Sequence, residues 1–201
     1  SWGHDGFQCS MMDDAIDEAL SNGRNGLGCV LVFAAGNNVA FPICYPASLS
    51  SVLAVGAIDR YGYRAGISRY GASLNVVAPA VIPTTDLQGL DGDDPSDYTI
   101  FPGTSAACPH VSAVAALVLS VNPCLTQAEV KYIIEATCIK LPYYTFSTTP
   151  AHPNGTWNNE VGYGLVDAYQ AVLEAIPIIG DNTIDLCDTK PYYFRPSDIL
   201  N

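Results

Sequence analysis

Three short runs of apolar residues constrain the fold of this chain most strongly. They are CVLVFAA at 29–35, SVLAVGAI at 51–58 and LNVVAPA at 74–80. Each run is continuous rather than alternating and rich in β-branched residues, which is typical of strands buried on both faces. Helical patterns lie before and after the runs. The sequence therefore predicts an α/β fold with a largely parallel sheet and helices on both faces.

Two of the helical segments are marked by the spacing of their small and apolar residues. Residues 10–22 carry one apolar face behind Ser10 and Asp13, which resemble a capping pair. Residues 103–120 are small or apolar all round, which predicts a helix that is buried on every side.

The C-terminal third of the chain carries further helix signals. Thr126 and Glu129 have the Thr-x-x-Glu spacing of a capping box and precede a helical pattern whose apolar face is Val130, Ile133 and Ile134. Residues 141–160 are rich in Pro, Thr and Asn, which predicts a loop, and helical signals return at 166–175.

Composition limits the classes of function. The chain has 201 residues, of which 49% are apolar and 14% charged, so it is too apolar for intrinsic disorder. Its formal net charge of −12 disfavours a nucleic-acid partner. The best apolar run, 111–121, falls short of the roughly 20 residues that span a bilayer, so no membrane span is expected.

The seven cysteines include no Cys-x-x-Cys pair, so we expect no zinc site and mostly small, buried thiols.

The segment Gly103-Thr104-Ser105 points most directly to chemistry. A serine at the start of a buried helix has its Oγ where negative charge is favoured, and its backbone N–H is free to bind an oxyanion. That position suits the nucleophile of an acyl transfer. The segment alone is equally compatible with Thr104 or Ser105 serving only as a helix cap.

A second segment, Ala34 to Asn37, follows the first apolar run. Ligands of open α/β sheets bind just beyond the carboxyl ends of the strands. An asparagine amide there can donate to a developing oxyanion. Taken alone, Asn37 is more commonly a turn residue.

Together these segments resemble the subtilisin-like serine proteases. The pattern GTS-x-x-x-PHV at 103–111 is the most specific element of the resemblance. The matches follow the family's order and cover residues 1–175: SWG at 1–3, VFAAGN at 32–37, YP at 45–46, VLAVGAID at 52–59, VVAPA at 76–80, GTSAACPHVSAVAAL at 103–117 and GYGLVDA at 162–168.

The resemblance implies a role for each matching residue. Ser105 would be the nucleophile, and Asn37 would hold the oxyanion together with the backbone N–H of Ser105. The residues that it assigns to the substrate pocket are Ser1, Trp2 and Gly3 on one wall, Ala35 and Gly36 on the other, and Cys44 at the floor. It also implies a cis peptide bond before Pro46 and a polypeptide substrate.

The catalytic Asp and His of the family lie upstream of its SWG segment and have no counterpart in this chain. Of the three histidines, His110 matches a structural residue of the family, His152 lies in the predicted loop and is expected to be solvated, and His4 matches no known role. A serine without a positioned base is a poor nucleophile. We therefore expect an incomplete C-terminal portion of the domain that is nearly inactive alone and needs the missing N-terminal portion as its partner.

The resemblance also frames the remaining expectations. Residues 1–176 would be peptidase domain and 177–201, with three prolines, a linker or the start of a following module. The resemblance implies secretion or a cell-surface location, no cofactor for the chemistry, and structural calcium whose ligands do not map onto this chain. The acidic stretch 86–98 is expected to be a solvated loop.

Two other functions are alternatives to peptidase activity. A lipase-type esterase is excluded because the Gly-x-Ser-x-Gly motif fails at Ala107. The alternative that stays open is a non-catalytic peptide-binding or surface module that keeps the family fold.

Asp5 suggests a preference of the pocket. An acid just after SWG resembles the kexin-like branch of the family, which cuts after basic residues. Cys44 at the pocket floor is not acidic, so this preference is a hypothesis that comparison of Arg with Leu peptides would test.

Overall fold

A computed structural model describes residues 1–5 and 8–177. The proposed linker or module at 177–201 therefore lies, from 178 onward, outside the described residues. Two short 3₁₀ turns, Gly23–Gly26 and Gly89–Asp91, accompany the main elements. In chain order these are α1 Ser10–Asn22, β1 Val32–Ala34, β2 Leu53–Ile58, β3 Val76–Pro79, β4 Val81–Thr85, β5 Tyr98–Pro102, α2 Thr104–Val121, α3 Gln127–Ala136, β6 Ser147–Thr149, β7 His152–Trp157 and α4 Ala168–Ala175.

The three apolar runs form one parallel sheet in the order β1-β2-β3. Val32 pairs with Leu53, and Val55 pairs with Val76. Every residue of the central strand β2 is buried, as its continuous apolar run requires. The α/β class with a parallel sheet is thereby confirmed. β1 is shorter than its run because the N–H of Cys29 donates to the Ala19 carbonyl of α1, at 2.8 Å, instead of to a strand.

Helix α2 lies across all three strands and forms the main core with α3 and α4. On the opposite face of the sheet, apolar residues of loops such as Ile43, Ala47 and Leu141 form a second cluster. The expectation that α2 is buried on every side is wrong, because the sheet covers one face only and Leu117 is 48% exposed. Among the described helices, only α2 is long and apolar enough to cross a membrane, judged by length and composition alone. Buried core helices meet the same two criteria.

Two local predictions at helix starts had opposite outcomes. The capping box of α3 is confirmed: the Thr126 hydroxyl accepts from the N–H of Glu129, whose carboxylate accepts from the N–H of Thr126 at 2.7 Å. The capping pair of α1 is wrong, since its cap is Cys9 with no side-chain hydrogen bond. Asp13 instead accepts from the Tyr45 hydroxyl at 2.8 Å, a contact between residues far apart in sequence.

The predicted loops contain two hairpins. Strands β6 and β7 pair antiparallel within 141–160, so this stretch is not a plain loop. Pro153, Asn154 and Gly155 at the centre of β7 have low strand propensity, so the sequence does not predict this strand. The acidic stretch connects β4 to β5, which lead directly into α2. The buried state expected of most cysteines is confirmed for Cys44, Cys108 and Cys138; Cys9 is exposed and Cys124 is in a disulfide.

Candidate active site

Ser105 lies in the first turn of α2, where the helix meets the sheet. The residue that caps the helix is Gly103, at φ +95°, and it contributes no side chain. A Cβ at this position would lie 3.0 Å from the amide atoms of Asn37, so both the backbone angle and the close approach require glycine. The N–H of Ser105 has no hydrogen-bond partner among the described residues. The reading of Thr104 or Ser105 as a side-chain cap is therefore wrong.

Asn37 supplies the cap from the other side of the site. Its Oδ1 accepts from the N–H of Thr104 at 2.8 Å and from the Thr104 hydroxyl at 2.9 Å. A backbone N–H can only donate, so the amide oxygen must face Thr104, and the amide nitrogen is turned away from it. The Thr104 hydroxyl in turn accepts from the N–H of Gly36 at 3.2 Å. This arrangement leaves two donor groups available beside Ser105, its own N–H and the Asn37 amide.

A cleft of about 260 Å³ opens beside these donors. It brings together seven of the eight residues assigned to the site from the sequence. They are Ser1, Trp2, Gly3, Gly36, Asn37, Cys44 and Ser105.

Ala35 is the exception, since it is not among the residues that line the cleft. Its side chain is fully buried and belongs to the core cluster on the loop-covered face of the sheet. Ala34 and Gly36 line the cleft instead. Side chains alternate in extended chain, so the two neighbours of Ala35 face the side that it does not.

The wall formed by residues 1–3 is positioned by backbone pairing. His4 and Tyr45 form an antiparallel bridge, with N–H to oxygen distances of 2.9 and 3.2 Å. A Cβ on Gly3 would come within 2.5 Å of the Cys44 Sγ, so this close approach requires glycine. Trp2 packs edge-on against Phe33 with 5.9 Å between the ring centroids. The Tyr45–Pro46 peptide is cis, as the resemblance implied.

Sequence reasoning missed the ion pair between Asp5 and Arg69. Both residues line the cleft, and the Arg69 guanidinium donates to both Asp5 oxygens, at 2.8 Å for Oδ2, and to the Pro42 carbonyl at 2.9 Å. This pairing lowers the pKa of Asp5 and raises that of Arg69. Burial raises the pKa of the Cys44 thiol, which is therefore neutral at physiological pH. The signal that the sequence offered for this ion pair was Arg69 itself. It is one of only eight basic residues of the chain, and it lies among small and apolar residues in AGISRYG at 65–71.

No histidine is hydrogen-bonded to the Ser105 hydroxyl within residues 1–5 and 8–177. His110 Nδ1 contacts the Ala106 carbonyl at 2.9 Å, one helical turn back. His152 opens strand β7, half-buried and stacked on Trp157 at 3.9 Å, so the expectation of a solvated loop histidine is wrong. His4 lines the cleft and stacks near Trp2 and Tyr45.

The described residues offer no cluster of carboxylates for calcium. In this part of the chain no three acidic, histidine or cysteine side chains converge on one point. In the acidic stretch, Asp86 accepts from the N–H groups of Leu87 and Asp94, and Asp94 accepts from that of Ser96. These carboxylates stabilise turns of their own loop.

Solved structures of known proteins share this fold. A protease of Pseudoalteromonas arctica superposes with a TM-score of 0.63 at 29% identity, over 87% of this chain and 49% of its own. Fervidolysin of Fervidobacterium pennivorans, a keratinolytic enzyme related to subtilisin, gives a TM-score of 0.65 at 28% identity, over 88% of this chain and 26% of its own.

Sequence comparisons agree with the structural ones. A calcium-dependent protease of Trichormus variabilis is 37% identical over 188 residues, which is 81% of this chain and 27% of that protein. The M-protease of Shouchella clausii is 38% identical over 130 residues, or 65% of this chain and 31% of its own length. The chain thus spans less than a third of these two relatives. The subtilase family of peptidases matches residues 1–164, and the chain belongs to this family.

Proposed function

We propose that this chain carries the nucleophile, the oxyanion-binding groups and part of the substrate pocket of a subtilisin-type serine endopeptidase. The observation that supports this most is the contact of the Asn37 oxygen with Thr104. It turns the amide nitrogen away from Thr104, in a cleft that Ser105 also lines and where the Ser105 N–H has no partner among the described residues. Two fixed donors beside a hydroxyl at a helix N-terminus suit the stabilisation of a tetrahedral oxyanion.

The proposed reaction proceeds through an acyl-enzyme. The Ser105 Oγ attacks the scissile carbonyl carbon while its proton passes to a base. The carbonyl oxygen becomes an oxyanion held by the Ser105 N–H and the Asn37 amide. Collapse expels the amine, which takes up the proton, and water then hydrolyses the acyl ester by the same steps.

The base is the part of this machinery for which the described residues offer no candidate in contact with Ser105. We propose that an N-terminal portion of the same domain supplies it, together with the acid that orients it. We call the protein in which this chain is joined to that portion the parent protein. Strand β1 supports the proposal, because within the described sheet it pairs on one side only, with β2. The chain alone would then be nearly inactive.

The remaining features of the proposal follow from family membership. The substrate is a polypeptide, the location is extracellular or at the cell surface, and no cofactor enters the chemistry. The name of the Trichormus variabilis relative hints at calcium dependence. Since the described residues offer no cluster of carboxylates for calcium, we assign no step to the ion.

A non-catalytic peptide-binding module is the second candidate. The observation that favours it is that, within the described residues, no histidine is hydrogen-bonded to the Ser105 hydroxyl.

Hydrolysis of a denatured protein substrate by the parent protein and by its Ser105→Ala variant separates the two candidates. The peptidase proposal predicts turnover that the substitution abolishes. Equal and negligible hydrolysis by both proteins would favour the binding module.

A further inference from the structure

We propose that the Asp5–Arg69 ion pair makes the cleft select a neutral carboxamide side chain, as in Gln or Asn, over either charge. The inference rests on the proposed function in one respect: the cleft beside Ser105 must receive the substrate residue that precedes the scissile bond.

The pair combines one deeply buried charge with one accessible charge. The Arg69 side chain is 5% exposed and that of Asp5 is 48% exposed. The Arg69 stem fills the space behind Gly36, since a Cβ on that glycine would lie 2.7 Å from Arg69 Cδ and Nε. A side chain entering the cleft therefore meets a pair with no net charge rather than a free acid.

The pair retains unused hydrogen-bonding capacity of both kinds. Arg69 directs three of its five N–H donors to Asp5 and Pro42. Its Nε is buried with no partner in the described part of the chain and is closed to a ligand, so the donor that remains is the second N–H of Nη2. The Nε packs against Gly36, which itself lines the cleft. Each Asp5 oxygen accepts one bond from Arg69 and keeps lone pairs on a half-exposed group.

A carboxamide matches this combination of donors and acceptors. Its carbonyl oxygen can accept from Arg69 while its NH₂ group donates to Asp5, and no net charge enters the cleft. A lysine or arginine side chain would add a cation beside Arg69, and a glutamate would add an anion beside Asp5. Each of these charged side chains would lose its hydration and gain only contact with an ion whose charge is already neutralised by its partner. An aliphatic side chain would displace water from the pair and leave its remaining donor and acceptor positions without a partner.

This inference replaces the basic preference that Asp5 suggested from the sequence alone. The carboxylate is engaged by Arg69, and the neutral thiol of Cys44 adds no negative charge at the floor. Sequence could not reveal the pairing, because 64 residues separate Asp5 from Arg69.

The test measures binding of product-like peptides to the parent protein carrying Ser105→Ala. Four fluorescein-labelled Ala-Ala-Pro-X peptides, with X as Gln, Glu, Lys or Leu, are compared by fluorescence anisotropy. We expect the Gln peptide to bind about tenfold more tightly than each of the others, a difference of about 1.4 kcal/mol. Tightest binding of Lys, Glu or Leu would overturn the inference.

Removing one half of the pair should convert the selectivity. Asp5→Asn leaves Arg69 as an unpaired cation, so the Glu peptide should gain about tenfold relative to Gln. Arg69→Met leaves Asp5 alone and should favour Lys in the same way. Asp17→Asn, at an exposed position of α1, makes the same charge change as Asp5→Asn and should alter nothing. An unchanged order of peptides in Asp5→Asn would overturn the inference even if Arg69→Met fails to fold.

Labelling of Ser105 in the otherwise unmodified parent protein keeps this test separate from that of the proposed function. Selective peptide binding without labelling by a fluorophosphonate would contradict catalysis and leave the pocket assignment intact. Labelling without the predicted peptide order would contradict only the role of the ion pair.

Discussion

At the scale of single residues, the proposed oxyanion site depends on the orientation of one amide, that of Asn37. Both donors of Thr104 contact the Asn37 oxygen, at 2.8 and 2.9 Å. A rotated amide would place its NH₂ group against the Thr104 N–H, which is also a donor. The contact therefore fixes the oxygen on the side of Thr104 and turns the nitrogen away from it, without any contribution from substrate.

Replacement of Asn37 tests its role as an oxyanion donor. Asn37→Ala should lower kcat of the parent protein by about 100- to 1000-fold with little change in KM, a figure that comes from subtilisin itself and not from this structure. Asn38→Ala is the matched control, because this neighbouring asparagine only accepts from the N–H of Ala40 in its own turn. Unchanged turnover in Asn37→Ala would remove the residue from the mechanism.

Replacement of the Thr104 hydroxyl tests the positioning of that amide. Thr104→Val keeps the shape but removes one of the two donors to Asn37, so we expect kcat to fall about fivefold, the effect of one hydrogen bond of about 1 kcal/mol. Thr104→Ser restores the hydroxyl and should recover most of the turnover. A loss confined to KM, or a serine variant as slow as the valine variant, would indicate a purely structural role.

At the scale of elements, helix α3 is joined to its neighbours through a buried carboxylate. Glu135 is 2% exposed, and its two oxygens accept from the amides of Asn75 and Asn154, each at 2.6 Å. Asn75 directly precedes β3, and Asn154 lies in β7, so one side chain connects three elements. Burial raises the pKa of Glu135 despite these bonds, because desolvation disfavours the charged form.

The raised pKa predicts how stability depends on pH. The folded state favours protonated Glu135, so its contribution is fully present below the ordinary glutamate pKa of about 4.3 and is lost as pH rises through the folded-state value. In urea unfolding between pH 4 and 8, the free energy of unfolding of the wild type should therefore fall as pH rises, compared with that of the Glu135→Gln variant.

Two comparisons make this result specific. The free energy of unfolding of Glu174→Gln, a substitution at an exposed position of α4, should change with pH as that of the wild type does. Stability of the wild type that rises with pH relative to Glu135→Gln would contradict the assigned direction of the pKa shift.

The elements also show what sequence reasoning could and could not reach. The strands β1 to β3 and the Thr126–Glu129 capping box were predictable because their signals are local. The hairpin β6–β7 was missed because its pairing is not encoded in strand propensity. At the site, motif spacing placed Ser105, Asn37 and the pocket walls in one cleft, whereas the Asp5–Arg69 pair and the burial of Ala35 depend on contacts between distant segments.

At the scale of the whole molecule, the site forms where two kinds of element end. The strand β1 leads into Gly36 and Asn37, and α2 begins at Thr104 on the same side of the sheet. Backbone donors at a helix start and an amide beyond a strand end thus converge without a long-range network of charges. What this arrangement lacks, within the described residues, is a base in contact with the Ser105 hydroxyl.

The most direct test of the account is covalent labelling of Ser105 by a fluorophosphonate, measured by intact mass. The 201-residue chain alone is compared with the parent protein, each alongside its Ser105→Ala variant. We predict one added label in the parent protein, none in the chain alone, and none in either variant. Labelling of the isolated chain, or no labelling of the parent protein, would contradict the claim that Ser105 is a nucleophile awaiting its base.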